Sequence, residues 1–199
     1  MGLNSVGICN LALGYLGGNT IMSLDDDSVE ANLCNANYDT CRDAVLEDLD
    51  WTFATERFKM STPMAEKPLY EYSSQFLLPD HIIRVIDVNQ DDRPWCVEGR
   101  KILCLDASIN VRAIVKVTET NLFTNAFVQC LAPYLAANIA IPLTQSPQLM
   151  EGMLALYNQK KMLAGASDTK QGTTKSFRSK WTQQARLRSG YGNTFPPTV

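Results

Sequence analysis

Few side chains in this sequence are of a type and spacing that could do chemistry. Six cysteines (Cys9, Cys34, Cys41, Cys96, Cys104 and Cys130) stand with a single histidine, His81. Zinc sites draw on clustered cysteines and histidines, usually opening with a CxxC pair, and the chain has none. Cys34 and Cys41 fall on one predicted helix, separated by about 10 Å of rise, too far for a disulfide. The cysteines therefore read as buried reduced thiols used as small apolar residues, with a Cys96–Cys104 bridge across a hairpin as the one pairing left open. The run Asp25-Asp26-Asp27 with Glu30 lacks the alternating oxygen ligands and the glycine of a calcium loop. It reads instead as acid placed at a helix N-terminus. Gly14, Gly17 and Gly18 have no GK[ST] and no preceding strand, and so punctuate a helix rather than cradle a phosphate. His81, in LPDHIIRV beside Asp80, is of the right type for a base, but no GxSxG elbow accompanies it. Glycoside hydrolysis needs only two suitably separated acids, so Asp87 with Asp91 or Asp92 keeps a glycan-degrading reading in view. No catalytic residue, metal or cofactor is expected.

One charge pattern is stronger. From Thr169 to Val199 there are six basic residues and no acidic one, so this segment carries +6, while the preceding residues hold 12 basic and 21 acidic side chains and carry −9. Lys175, Phe177, Arg178, Lys180, Trp181, Arg186, Leu187 and Arg188 combine cations with apolar anchors. These residue types suit nucleic-acid binding through phosphate contacts and base stacking. They suit a protein-docking peptide equally well. With so little apolar material the segment is expected to gain order only on a partner.

The elements that must present this tail follow from periodicity. Asn4 or Ser5 caps a first helix whose face is Ile8, Leu11 and Tyr15, stopped by Gly17-Gly18. A second helix opens at Asp27, with Glu30 completing a capping box. Ala31, Cys34, Tyr38, Cys41, Val45 and Leu49 form its buried face, opposite Asn35, Asp39, Arg42, Asp43 and Glu47. Trp51, Phe53 and Ala54 extend the helical run until Ser61-Thr62-Pro63 breaks it. Five strands follow, at 69–76, 82–88, 95–97, 101–105 and 110–117, separated by turn residues. A third helix starts at Thr124 or Asn125 on the stripe Phe127, Leu131, Leu135 and Ile139; Pro133 predicts a kink or a later start, and Pro142 ends it. Ser146-Pro147 opens a fourth helix running to about Ser167. The fold class is thus α+β: a bundle of about four helices with an inserted antiparallel β-domain and an extended C-terminal tail. Its parts are 1–62 and 121–167 for the bundle, 63–120 for the insertion and 168–199 for the tail. Composition is that of a soluble globular chain, no apolar run approaches a bilayer span, and Met1 to Gly18 lacks the basic start of a secretory signal. Folding in a cytoplasm, without membrane, is expected.

The short apolar helix, the double glycine and SLDDDSVEANLCNANYDTCRDAVLEDLDWTFATER resemble the N-terminal region of the tail tubular protein A family, head-to-tail adaptors of short-tailed, T7-like bacteriophages. YEYSSQFLLPDHIIRVIDV, the EGRKILCL hairpin, VKVTETNLFTNAFVQCLAPYLAANIA and a last helix with a basic tail continue the likeness in order. None of these segments is a catalytic signature; the cysteines and Pro133 depart from the pattern. The resemblance implies a non-enzymatic homo-oligomeric ring, twelve copies in the family, that joins the portal protein above to a tail nozzle protein (tail tubular protein B-like) below. Genomic DNA would pass through the lumen without sequence-specific binding. It further implies a protein of the virion tail, assembled in the host bacterial cytoplasm, whose tail, with Trp181 and Leu187, inserts into portal clefts while the β-domain faces the nozzle. A head-completion connector of a long-tailed phage is the runner-up, and a glycan-degrading tail enzyme a third reading.

Overall fold

The computed structural model describes residues 3–89 and 93–168. It is an α+β fold of four helices and two small antiparallel sheets. The first helix, α1 (Ser5–Leu16), begins where the Asn4 side chain accepts from the Gly7 amide at 2.8 Å and ends at Gly17, whose φ of 71° needs a residue without Cβ. Its core face is Ile8, Cys9, Ala12, Leu13 and Leu16. Leu11 and Tyr15, expected inside, are partly exposed, because α3 covers α1 from the Ala12–Leu13 side.

Helix α2 (Val29–Asp48) starts one residue later than the acid run suggests: Ser28, not Asp27, caps it, its hydroxyl accepting from the Ala31 amide at 3.2 Å. Asp26 instead accepts from the amides of Met22 and Ser23 and so ties the connector, and Glu30 accepts from the Asn19 side chain rather than closing a capping box. After Asp48 the chain does not continue helically. A short 3-10 turn at Thr52–Ala54 leads into strand β1 (Thr55–Met60).

Six strands result: β1, β2 (Ser74–Leu77), β3 (Ile82–Val88), β4 (Trp95–Glu98), β5 (Lys101–Cys104) and β6 (Ile109–Val115). One sheet runs β1-β6-β3 and the other β2-β5-β4. The expected strand at 69–76 shrinks to β2, because Leu69 and Tyr70 lie 99% and 75% exposed and Glu71 adopts a φ of 63°, off the extended region. The two sheets enclose their own core of Phe76, Ile82, Val88, Ile102, Ile109 and Val111. A Cys96–Cys104 bridge is excluded by register: Cys96 lies opposite Leu103 and Cys104 opposite Trp95, so the two thiols leave opposite faces of adjacent strands.

Helix α3 (Asn125–Thr144) is the centre of the bundle, in contact with α1, α2 and α4 (Pro147–Asp168). Thr124 caps it, and Phe127, Leu131, Leu135 and Ile139 are fully buried. Pro133 sits inside without delaying the start, and Pro142 does not end the run. An interior proline forfeits its N–H bond and crowds the carbonyl four residues back, a cost of about 3 kcal/mol that the burial of this helix's apolar stripe offsets. The last turn is held meanwhile by Thr144 Oγ1 on the Ala140 carbonyl and by the Gln145 amide on Ile141; left-handed Gln145 then stops the helix. By length and composition this 20-residue helix could cross a membrane, against the expectation from sequence. In this fold its faces are taken by the other helices.

Candidate functional site

If the tail docks as the sequence leads one to expect, the elements that precede it set where it starts. Gln145 turns the chain from α3 into α4, and the Ser146 hydroxyl accepts from the Leu149 amide at 3.4 Å. Tyr157 then stacks on Tyr134 of α3, ring centroids 4.8 Å apart, and its hydroxyl donates to the Asp48 carboxylate at the last residue of α2. Lys161, one turn on, reaches the same carboxylate at 2.8 Å, and Lys160 reaches Gln129 of α3 at 3.3 Å. Ala164 is buried beyond them, while Met162 and Leu163 face out. The end of α4 is therefore pinned to the ends of α2 and α3 by a phenol, two ammonium groups and one shared acid. All eight tail residues singled out from sequence, Lys175, Phe177, Arg178, Lys180, Trp181, Arg186, Leu187 and Arg188, lie outside the described residues.

Asp48 gives this joint a pH dependence. Burial raises its pKa, but hydrogen bonds from Lys161 and Tyr157 and the charges of Lys161 and Arg84 outweigh that and hold it below the ordinary carboxylate value. A folded-state pKa below the unfolded one, about 3.9 for Asp, stabilises at neutral pH, and the contribution is lost as pH falls through the folded value. Acidification below about pH 4 should thus lower the thermal midpoint of the wild type more than that of Asp48→Asn. Equal acid sensitivity of the two proteins would remove Asp48 from the account.

A second feature was not legible in the sequence. Arg42, expected on the wet face of α2, is 97% buried in its side chain and is held at 2.7 Å by both Asp39 and Asp43. It lines, with Tyr38, Asn4, Ser5, Asn35 and the 118–121 connector, an open cleft of about 680 Å³. Among the described residues the Tyr38 hydroxyl, buried there, has no hydrogen-bond partner, and burial pushes its pKa up to about 12. An unsatisfied buried hydroxyl costs about 1–3 kcal/mol. Tyr38→Phe should therefore be neutral or stabilising in urea unfolding; a loss above about 1 kcal/mol would show that the hydroxyl has an acceptor in solution.

The remaining candidates come apart in the fold. His81 lies half exposed, 3.9 Å from Glu56 rather than against Asp80, whose carboxylate approaches Arg100 at 3.4 Å. Among the described residues no three His, Cys, Asp or Glu side chains converge as metal ligands. Asp87 sits opposite Arg112, and its proposed partners Asp91 and Asp92 lie outside the described residues. Five of the six cysteines are buried, and burial raises Cys41 to about 12 and Cys130 to about 11, the state of inert thiols. Comparison with known proteins adds no assignment: no family model matches the chain, and no curated protein matches it.

Proposed function

We propose that this chain is a non-enzymatic structural adaptor that joins the portal to the tail nozzle of a short-tailed bacteriophage, as a ring of identical copies through which DNA passes. What carries the reading is the pairing of an acidic body with a basic, aromatic-bearing tail that follows a pinned helix. Among the described residues the bundle and the sheets draw their cores from Ile8 to Ala164, and the cations and aromatic anchors that come after suit a segment that grips another protein. Twelve weak grips on a symmetric partner add through effective concentration. The β-strands that leave the bundle between α2 and α3 carry a second core of their own, joined to the helical one through Ile114, and would serve the opposite junction with the nozzle. A net-negative body also suits a lumen that must let DNA slide.

Mixing the purified protein with its portal and imaging the particles at low resolution tests this directly. A ring seated coaxially on the portal is expected. A monomer that ignores the portal and cleaves a polysaccharide would overturn the proposal in favour of the tail-enzyme reading.

A further inference from the structure

We infer that the outer face of the β1-β6-β3 sheet is a phosphate-binding groove built on Arg57, Lys59 and Arg112. In the register of this sheet Arg57 lies directly opposite Arg112, which lies directly opposite Asp87, and in the next row Lys59 lies opposite Asn110. Direct partners in an antiparallel ladder share a face. On this face Ile114 packs into the helical core, while the two rows beyond it open into a groove of about 530 Å³ lined by Arg57, Lys59, Asp87, Asn89, Asn110 and Arg112.

Two features of the groove ask for an anion. Like charges directly opposite one another in a sheet repel, yet Arg57 faces Arg112, with Lys59 diagonal to Arg112 and two residues along β1 from Arg57. Among the described residues none of these three side chains makes an ion pair or hydrogen bond, and the Arg112 Nε–H is buried without a partner. The floor is rigid: Asn89, at a φ of 58°, accepts from the Asn110 amide at 2.7 Å and donates to Asp106 at 2.9 Å. Among the described residues, three cations against the single carboxylate of Asp87 make a local excess of positive charge in a body of the opposite sign.

Phosphate fits better than carboxylate. Its several acceptor oxygens can answer two guanidinium forks and an ammonium at once, and guanidinium geometry matches it in bidentate fashion. The phosphate could belong to a nucleic-acid backbone or be free. The inference does not depend on the adaptor reading, since it rests only on the sheet register and the charges it gathers.

The test uses the full-length chain with all tail Lys and Arg residues from Lys170 to Arg188 replaced by Gln, so that the tail cannot contribute cations. Binding of a short fluorescent single-stranded DNA is followed by anisotropy against salt, and binding of inorganic phosphate by NMR of the Arg Nε–H signals. Arg57→Gln with Arg112→Gln should weaken DNA binding about tenfold and reduce the magnitude of the log K against log salt slope by about 1.4, at ~0.7 per lost single-strand contact. Asp87→Asn should strengthen it, a change of sign that misfolding cannot imitate. If DNA binding is insensitive to these changes while phosphate shifts the Arg57 and Arg112 signals, the groove serves free phosphate. If neither probe reaches the groove, or if poly-glutamate binds it as tightly as either, the inference fails. The portal test is unaffected by any of these outcomes.

Discussion

Removal of residues 169–199 should leave the body folded and abolish its attachment to the portal. Among the described residues the helical core runs from Ile8 to Ala164 and the sheet core from Phe58 to Val115. Within α4, Tyr157, Lys160 and Lys161 are tied to Asp48 and Gln129 of the body. On the docking proposal the tail belongs to the portal contact, and its removal should change stability to urea by about 0.5 kcal/mol or less, the ordinary range for changes away from a core. Attachment should fall far more. Where several linked grips act on one partner, avidity exceeds single-site affinity by about 10²–10⁴, and deletion removes every grip together. Co-sedimentation with portal reads the loss, and thermal unfolding of the same sample reads the retained fold. Trp181→Ala, which removes one aromatic anchor per copy, should weaken attachment by a factor of ten or more, since buried aromatic anchors cost about 2 kcal/mol or more when truncated. Undiminished attachment after deletion would refute the docking role, and a collapsed thermal transition would show that the body needs its tail.

How much of this could be read from the sequence depended on whether the signal was local. Asn4, Gly17 and Thr124 mark helix ends by their own backbone needs, and each does so in the fold. Ser28 and Asp27 are both competent caps one residue apart, and sequence alone does not choose between them. Strand β1 was hidden because Trp51, Phe53 and Ala54 suit a helix as well as a turn, and because Phe58 and Met60 alternate with charges over only a few residues. What makes that stretch a strand is its pairing with β6, far along the chain. The same pairing brings Arg57 to Arg112, so the groove had no signature in either segment taken alone. Arg42 was misplaced for a related reason: its neighbours Asp39 and Asp43 neutralise it in place, which lets a cation occupy a buried position that hydrophobic periodicity assigns to solvent. Charge composition, in contrast, needs no fold, and the division between an acidic body and a basic tail stands on the sequence itself.

Trp51→Ala should be the most damaging single substitution in the body, with a loss of about 3–5 kcal/mol. The indole is 1% exposed and lies where α2 gives way to β1. Its Nε1–H donates to the Val45 carbonyl at 2.8 Å, its ring meets Phe127 of α3 edge-on at 5.2 Å, and Phe53 and Phe123 pack on the same phenyl group. The main-chain carbonyl of Trp51, retained in the alanine variant, accepts from the Ala54 amide and from the Thr55 hydroxyl at the first residue of β1. Truncation to alanine opens a cavity in the aromatic cluster and removes the indole donor from the buried Val45 carbonyl. A native domain is stable by about 5–15 kcal/mol, so the expected loss is a large share of the whole. Trp51→Phe retains most of the packing and gives up the hydrogen bond, and should cost about half as much. Urea unfolding checks both, with the midpoint moving and the slope unchanged if only stability is altered. Because the indole joins the helical core to the first strand, the alanine variant should also speed amide hydrogen exchange in β1 more than in α4, which is fastened separately through Tyr157 and Lys161 to Asp48. Uniform acceleration across both elements would mean that bundle and sheets unfold as one unit, and that Trp51 stabilises the whole rather than the joint.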